Sequence, residues 1–357
     1  MNELLGIPEN KEKILPSQTL LLAEPIFKIP GMDESKKTKF TVPLGAEIWI
    51  EQLPAILANQ FPNQEITEVL ANEYLSIARA LKEMNVSFRI IIAHRKNIDE
   101  RLALAMLQHF GVRGVALHPS ISETCFPRDM LVDFDGETHI NPKANFNFPD
   151  NSGIVSPLGE GGRVLKLGKK AFVPDPRGFV QTRPKYTKNL KALSDRFQFG
   201  FLPYPLAVEV DRESKTSNIF PNDHLDRVAA FIKGKDNKGY LLLDSHYVSE
   251  SQAPYGDHWT GIKEACQKLD VTPVVVDRKP SSVPYALNLE QFADGTVLLT
   301  GGDNTLTEYM KQIVGADKVY TTDRPIIFYP LYRNGGIRCM LLHAPQKIIG
   351  KPVIAQA

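Results

Sequence analysis

The chain has 357 residues, 43% hydrophobic and 23% charged, a composition typical of soluble globular proteins that argues against intrinsic disorder. This length exceeds the needs of one small core, so two domains or one large repeated architecture are expected. With 42 Lys and Arg residues against 41 Asp and Glu residues, the formal charge of +1 gives no electrostatic reason to expect a nucleic acid as partner.

The cysteine content and the N-terminal sequence indicate the cellular compartment of the protein. Cys125, Cys266 and Cys339 are an odd number without paired spacing, which argues against a disulfide framework and against a zinc site of the Cys-x-x-Cys kind. The first residues lack a basic segment followed by an apolar stretch, and no apolar run approaches the ~20 residues that a membrane span requires. We therefore expect a cytoplasmic protein without membrane contact, with secretion independent of a signal peptide as the alternative.

The N-terminal part predicts an arm followed by alternating helices and strands. Residues 1–20 predict an irregular arm, and Leu20 to Phe27 predicts a strand interrupted at a proline. Glu65 to Met84 is the clearest helix, because apolar residues recur there at intervals of three and four. Phe88 to Ala93 predicts a buried strand, and Glu100 to Phe110 predicts a second helix that ends at a glycine.

Further along the chain the alternation continues and indicates an α/β fold. Strands are predicted at Gly114 to Leu117, Met130 to Phe134, Leu206 to Val210, Val228 to Ile232, Tyr240 to Leu243, Thr272 to Val276, Thr296 to Leu299 and Lys318 to Thr321, and helices at Lys185 to Phe197, His258 to Leu269 and Leu306 to Val314. The Gly-Lys-Asp-Asn-Lys-Gly sequence after Ile232 predicts a hairpin. Glu137 to Leu158, rich in Asn and Pro, predicts a long loop that serves as a functional flap, with disorder as the alternative.

Four short segments place reactive groups among apolar residues or glycines. Each has a structural explanation on its own: an ion pair at Asp129, a turn at Glu160, a hydrogen-bonded core histidine at His224, and a small packed thiol at Cys339. The segments are Phe126-Pro127-Arg128-Asp129-Met130, Glu160-Gly161-Gly162, His224-Leu225-Asp226 and Asn334-Gly335-Gly336-Ile337-Arg338-Cys339-Met340.

Taken in this order, the four segments resemble the arginine deiminase branch of the guanidine-modifying (pentein) superfamily. That superfamily also includes agmatine deiminases, amidinotransferases and dimethylarginine hydrolases. The resemblance spans Phe126 to Met340, somewhat over half of the chain. It implies the pentein fold, an α/β propeller of repeated ββαβ units around a central active site, in a single catalytic domain over residues 21–357.

The resemblance also implies roles for individual residues. Cys339 would be the nucleophile and His224 the general acid and base, while Glu160 would orient His224 or contact the substrate. Asp129 and Asp226 would bind the guanidinium group. The implied reaction is hydrolysis of an arginine-like compound through a covalent cysteine intermediate, with release of ammonia and a ureido product. No cofactor and no metal are needed for it.

The chemistry of the guanidinium group supports these residue types. A guanidinium is planar, permanently charged and offers five N–H donors, so carboxylates that accept paired hydrogen bonds recognise it well. Its central carbon is a poor electrophile, for which a thiolate is a suitable attacker, and a thiolate forms more readily beside a protonated imidazole or a bound cation.

One departure from the family leaves the substrate open. The family commonly has an acidic residue or Asn after Glu-Gly-Gly, where this chain has Arg163. Arg163 is a candidate for binding a substrate carboxylate, with an exposed surface arginine as the alternative. Arginine, agmatine and a peptidyl arginine all remain as substrates. An amidinotransferase and a non-catalytic guanidinium-binding protein are the alternative functions, and the oligomeric state cannot be predicted.

Overall fold

The structure is a computed structural model that describes residues 13, 18–23, 36–93, 117–120, 128, 131–134, 137–140, 154–155, 161–179, 184–252, 256–277, 283–333 and 335–345. The strands in these ranges are β1 (Gln18–Leu22), β2 (Lys39–Pro43), β3 (Phe88–Ala93), β4 (Leu117–Ser120), β5 (Leu131–Phe134), β6 (Glu137–Ile140), β7 (Ile154–Val155), β8 (Leu165–Leu167), β9 (Lys170–Pro174), β10 (Gln198–Leu202), β11 (Leu206–Asp211), β12 (Thr216–Pro221), β13 (Ala229–Lys233), β14 (Gly239–Asp244), β15 (Ser251–Gln252), β16 (Gly256–Asp257), β17 (Val271–Val276), β18 (Glu290–Gln291), β19 (Val297–Leu299), β20 (Val319–Thr321) and β21 (Leu341–Pro345).

The described helices lie between these strands. They are α1 (Glu47–Gln60), α2 (Ile66–Glu83), α3 (Pro184–Leu193), α4 (Ser245–Ser249), α5 (His258–Leu269), α6 (Asn304–Val314), α7 (Phe328–Arg333) and α8 (Ile337–Met340), with short 3-10 helices at Gly161–Arg163, Pro176–Phe179, Leu225–Arg227 and Ala316–Lys318. None of the helices in the described ranges is long and apolar enough to cross a membrane.

One connectivity recurs in five of the sheets. In each, the first two strands are antiparallel and the third is parallel to the second. The sheets are β5-β6-β7, β8-β9-β10, β13-β14-β17, β18-β19-β20 and β21-β1-β3. In the last of them β21 pairs with β1, so strands from opposite ends of the chain complete one unit.

Helices join the second strand to the third in four of these sheets, as a parallel pair requires a crossover. These helices are α3, α5, α6 and, between β1 and β3, α2. The repeating unit is therefore ββαβ, and the α/β class predicted from the sequence is confirmed. We call the first strand of each unit, β5, β8, β13, β18 or β21, its lead strand.

Most of the predicted elements that fall on described residues are confirmed. The clearest predicted helix is α2, which buries one face against the core, and the helix predicted at His258 to Leu269 is α5. The predicted hairpin is the antiparallel pair of β13 and β14. The helix predicted at Glu100 to Phe110 lies outside the described residues.

Several boundaries differ from the prediction: α3 ends at Leu193 rather than at Phe197, and β4 spans Leu117–Ser120, where the predicted strand ends at Leu117. The long loop predicted from Glu137 to Leu158 is wrong at both ends, since Glu137–Ile140 is β6 and Ile154–Val155 is β7. The polar sequence of β6 gives no strand signal of its own, and its pairing with β5 supplies the backbone hydrogen bonds that make it a strand. β1 begins at Gln18, inside the region predicted as an irregular arm, and ends at Leu22.

A buried carboxylate connects α2 to α7. Glu73 is 1% exposed, and it accepts hydrogen bonds from the backbone N–H groups of Ile327 (2.9 Å), Phe328 (2.9 Å) and Tyr329 (2.6 Å). The first N–H groups of a helix have no partner within the helix, so Glu73 completes the N-terminus of α7 from a neighbouring element. Burial raises the pKa of Glu73 to about 7, although these three bonds oppose the shift.

Stability is therefore expected to depend on the protonation of Glu73. A carboxyl whose pKa is raised on folding, here from 4.5 to about 7, stabilises the fold at low pH and loses that contribution as the pH rises to about 7. In urea unfolding, the stability of wild type relative to Glu73→Gln should fall by about 3 kcal/mol between pH 4.5 and 7.5. Replacing the exposed Glu264 by Gln serves as control and should give a difference independent of pH. A flat profile for Glu73→Gln would contradict the assignment.

Candidate active site

Cys339 lies in α8, a short helix that leads directly into the lead strand β21. Its neighbours Ile337 and Met340 belong to the largest cluster of buried apolar side chains, which also includes residues of α2 and α7. Gly336 precedes the helix, and a Cβ atom there would lie 2.9 Å from Cβ of Asn288. Only glycine allows this approach, which fixes the backbone next to the thiol.

The thiol of Cys339 contacts a fully buried carboxylate. Its Sγ lies 3.3 Å from Oδ2 of Asp226, in a geometry in which the S–H donates. Asp226 is 0% exposed, and its second oxygen, Oδ1, forms no hydrogen bond in the described structure. Buried carboxylate oxygens ordinarily have donors. The free Oδ1 therefore defines a position next to the thiol where the N–H of a ligand would be stabilised.

Asn288 holds these two residues together. Its Nδ2 donates to the carbonyl oxygen of Asp226 (2.9 Å) and lies 3.2 Å from Sγ of Cys339, while its Oδ1 accepts from the backbone N–H of Cys339 (3.1 Å). Its carbonyl oxygen accepts from the backbone N–H of Arg338 (3.0 Å). Asn288 is 1% exposed, so these bonds form away from water. It positions the Cys339 segment against the Asp226 segment.

His224 lies beside Asp226 at the start of a 3-10 helix. Its Nδ1 is 4.0 Å from Oδ1 of Asp226, and its Nε2 is 4.0 Å from Oδ1 of Asp223. Its backbone N–H donates to the side chain of Asn222. Gly162 packs against this pair, and a Cβ atom at position 162 would overlap the imidazole ring and lie 3.0 Å from Oδ1 of Asp226. The glycine therefore leaves room for both side chains.

Of the remaining predicted site residues, only Arg163 lies among the described residues. Arg163 follows Gly162 and forms an ion pair with Asp223 at 2.8 Å, in which both side chains are about 15% exposed. Asp129 and Glu160 lie outside the described residues. Their neighbours Arg128 and Gly161 are described, and a Cβ atom at Gly161 would overlap the carbonyl oxygen of Arg128. Arg128 and Gly161 are therefore in contact.

A buried charge cluster lies behind the thiol. The Nη2 of Arg128 lies 2.6 Å from Oε2 of Glu290, and the Nε of Arg128 donates to the carbonyl oxygen of Arg338 (2.9 Å). The Nε2 of His343 is 3.3 Å from the other oxygen of Glu290. Burial alone would raise the pKa of Glu290, but the nearby side chains of Arg128, His343 and Arg338 lower it below its usual range. Burial and the nearby Arg128 lower the pKa of Arg338 to about 10.

The structure adds two residues that the sequence analysis missed, Asn288 and Glu290. A positional rule would have found Asn288, which like Arg128, Gly162, Asp226 and Cys339 lies two or three residues before a lead strand, whereas Glu290 is the first residue of the lead strand β18. The turn before the lead strand of each ββαβ unit thus contributes a residue to the candidate site. The signal was hidden because the ββαβ repeats share no sequence pattern, and Asn-Leu-Glu-Gln resembles an ordinary loop.

The other cysteines do not join this site within the described residues. Cys266 is a buried free thiol on α5, packed in a separate apolar cluster, and Cys125 lies outside the described residues. Among the described side chains, no group of three or more His, Cys, Asp or Glu residues is placed to hold a metal ion.

Comparison with solved structures identifies the fold. The chain matches a structure described as a "putative peptidyl-arginine deiminase" with a TM-score of 0.53 and 13% identity, over 95% of this chain and 98% of that one. The chain therefore shares the overall α/β fold of that structure. No family model matches the sequence, and a search of curated proteins found no relative.

Two further structures resemble the chain less closely. One is an inosamine-phosphate amidinotransferase from Streptomyces griseus, with a TM-score of 0.41 and 11% identity over 97% of both chains. The other is ArgZ, an arginine dihydrolase from the ornithine–ammonia cycle in cyanobacteria, with a TM-score of 0.28 and 15% identity over 75% of this chain and 40% of that one. The fold assignment rests on the first structure.

Proposed function

We propose that the chain is a hydrolase that acts on the guanidinium group of an arginine-like compound through Cys339. The observation that carries the proposal is the contact between the Cys339 thiol and the buried Asp226, whose second carboxylate oxygen has no donor among the described residues. A guanidinium bound to that oxygen would lie next to Sγ, because Sγ contacts the other oxygen of the same carboxylate. The position that binds the guanidinium would therefore also be the position in which Sγ can attack its carbon.

The substrate's own charge would assist the nucleophile. A thiolate beside the ionised carboxylate of Asp226 is unfavourable in the empty site, since two like charges would be buried together. A bound guanidinium compensates both charges, so the thiol can lose its proton once substrate is present. His224, whose ring lies 4.0 Å from Asp226, would accept that proton.

The proposed reaction has two stages, formation of a covalent intermediate and its hydrolysis. Sγ adds to the guanidinium carbon, His224 returns a proton to one terminal nitrogen, and that nitrogen leaves as ammonia. The product is an S-alkylthiouronium on Cys339 that keeps the substituted nitrogen. Water, deprotonated by His224, adds to the same carbon, and the C–S bond breaks to give a ureido product and the free thiolate. Glu160 would orient His224 in these steps.

The remaining proposed residues concern binding. Asp129 would hold the guanidinium together with Asp226, and Arg163 would face a substrate carboxylate, for which it must leave its ion pair with Asp223. We also propose that the ββαβ units are arranged as a propeller around this site. In that arrangement the turns before the lead strands, which carry Asp226, Asn288 and Cys339, would meet at the centre.

A product assay tests the function. Arginine, agmatine and an N-acylated arginine peptide are each incubated with the protein without any added amine, and ammonia and ureido product are measured together. We expect one of the three to give ammonia and ureido product in equal amounts. If the substrate's own amine is released instead, and an added amine stimulates that release, the function is amidino transfer and not hydrolysis. Saturable binding of these compounds without any product would favour a guanidinium-binding protein.

A further inference from the structure

A cavity of about 560 Å³ lies along the lead strands and is separate from the thiol site. Its described lining comes from β8, from β13 and the turn after it, from β18 and from β21, and includes Arg128 and Arg338. Cys339, Asp226, His224 and Asn288 do not line it. Because those residues precede the lead strands, the cavity extends from Arg338 along the strands toward their far ends.

The described lining is strongly basic. It contains six Lys and Arg side chains and two carboxylates: Arg128, Lys166, Lys233, Lys235, Lys318 and Arg338, against Glu290 and Asp294. The whole chain carries a formal charge of only +1, so this excess is local. Clefts lined by one sign of charge concentrate ligands of the opposite sign.

Two guanidinium groups lie at the inner end of the cavity, nearest the thiol site. Arg128 pairs with Glu290, and Arg338 lies near both of them. The Nη2 of Arg338 donates to the carbonyl oxygen of Val164 (2.9 Å), but its buried Nη1 has no hydrogen-bond partner in the described structure. A buried guanidinium nitrogen without an acceptor is unfavourable. An oxyanion in the cavity would satisfy it.

At the outer end, two lysines mark an opening to solvent. Lys233 and Lys235 are exposed and line the cavity at the end of β13 and in the turn to β14. The turn is ordered by the bond from Gly234 N–H to the carbonyl oxygen of Lys238 (2.9 Å) and by the bond from Lys235 N–H to the carbonyl oxygen of Ile313 (2.9 Å). The fold therefore fixes the backbone from which these two side chains extend.

We propose that this cavity binds a small polyanion that carries phosphate or carboxylate groups. The volume fits a ligand larger than a single phosphate, since pockets for small molecules occupy roughly 300–1,000 Å³. Its charge is opposite to that of the thiol site, where Asp226 favours a cation, so the two sites would select different ligands. The backbone of Arg338 bonds to Asn288, and Cys339 follows it in the chain, so the bound anion would contact the nucleophile's own segment.

Calorimetric titration with pyrophosphate and with citrate tests the proposal. Ionic strength is held constant with sodium chloride, and no turnover is involved, so the outcome is independent of the proposed reaction. We expect saturable binding at one site in the wild-type chain. The double variant Lys233→Gln/Lys235→Gln should bind at least about tenfold more weakly, because two charge-assisted contacts are lost.

A matched control removes the same charge elsewhere. Lys188 and Lys191 are exposed on α3 and do not line the cavity, so Lys188→Gln/Lys191→Gln should bind as wild type does. Preference for pyrophosphate would identify phosphate groups as the ligand chemistry, and preference for citrate would identify carboxylates. Binding that never saturates, or that weakens equally in both double variants, would overturn the proposal.

Discussion

Replacing Cys339 by Ala or Ser should lower kcat for the preferred guanidino substrate by at least about 10⁴-fold, since loss of a covalent nucleophile removes the reaction path itself. The hydroxyl of serine is a much weaker nucleophile, so both variants should fall to a similar level. Steady-state release of ammonia measures the effect. Acid-quenched wild type should in addition carry the mass of the thiouronium adduct on the peptide that contains Cys339.

Cys266→Ala is the matched control for this result. Cys266 is buried on α5, and burial raises the pKa of its thiol to about 12, so it remains a protonated, unreactive side chain. Its replacement should leave kcat unchanged and lower stability only modestly, by ~1 kcal/mol. Thermal unfolding of all the variants separates loss of chemistry from loss of fold. If Cys339→Ala stays folded and keeps near-wild-type turnover, the assignment of the nucleophile is wrong.

The second large effect is expected for Asp226→Asn. This change keeps the size of the side chain and an oxygen that can accept from the Cys339 thiol, but it removes the buried charge. We expect kcat/KM to fall by about 10²- to 10³-fold, because truncating one partner of a buried charge pair costs roughly 2–5 kcal/mol. KM should rise as kcat falls, since Asp226 would both bind the cation and complete the attack geometry.

Stability distinguishes this effect from misfolding. Asp226 is 0% exposed and one of its oxygens has no donor in the described part of the chain, so removal of the charge should leave the Tm unchanged or raise it. Asp195→Asn, at an exposed position after α3, controls for the general effect of one lost negative charge and should change neither quantity. An Asp226→Asn variant that retained kcat/KM within a few-fold would remove Asp226 from the substrate site.

The sequence alone predicts the elements in which apolar residues recur at regular intervals, and the motifs that contain reactive residues or paired glycines. The apolar period of α2 predicts its bounds closely, and the segments with Gly162, His224 and Cys339 contain the residues that the structure brings together. In these segments the physical cause of the structure, either an apolar helix face or a required glycine, is present in the local sequence.

Other features depend on contacts that no local window contains. β6 is a strand because β5 pairs with it, and the six-residue helix α7 begins where the distant Glu73 accepts its N–H groups. Asn288 resembles any loop asparagine until Cys339 and Asp226 lie against it. In each case the stabilising partner is separated in sequence, so residue pattern alone could not identify the element or the role.

The pairing of β21 with β1 has a consequence for biosynthesis. β1 leaves the ribosome early, whereas the strand that carries the Cys339 segment into the fold emerges only after every other described unit. Contacts of such long sequence separation form late and slowly. The thiol therefore meets Asp226 and Asn288 only when the rest of the unit is already present. A partly synthesised chain would hold Asp226 without Cys339, so the proposed catalytic site would be completed in one late folding event.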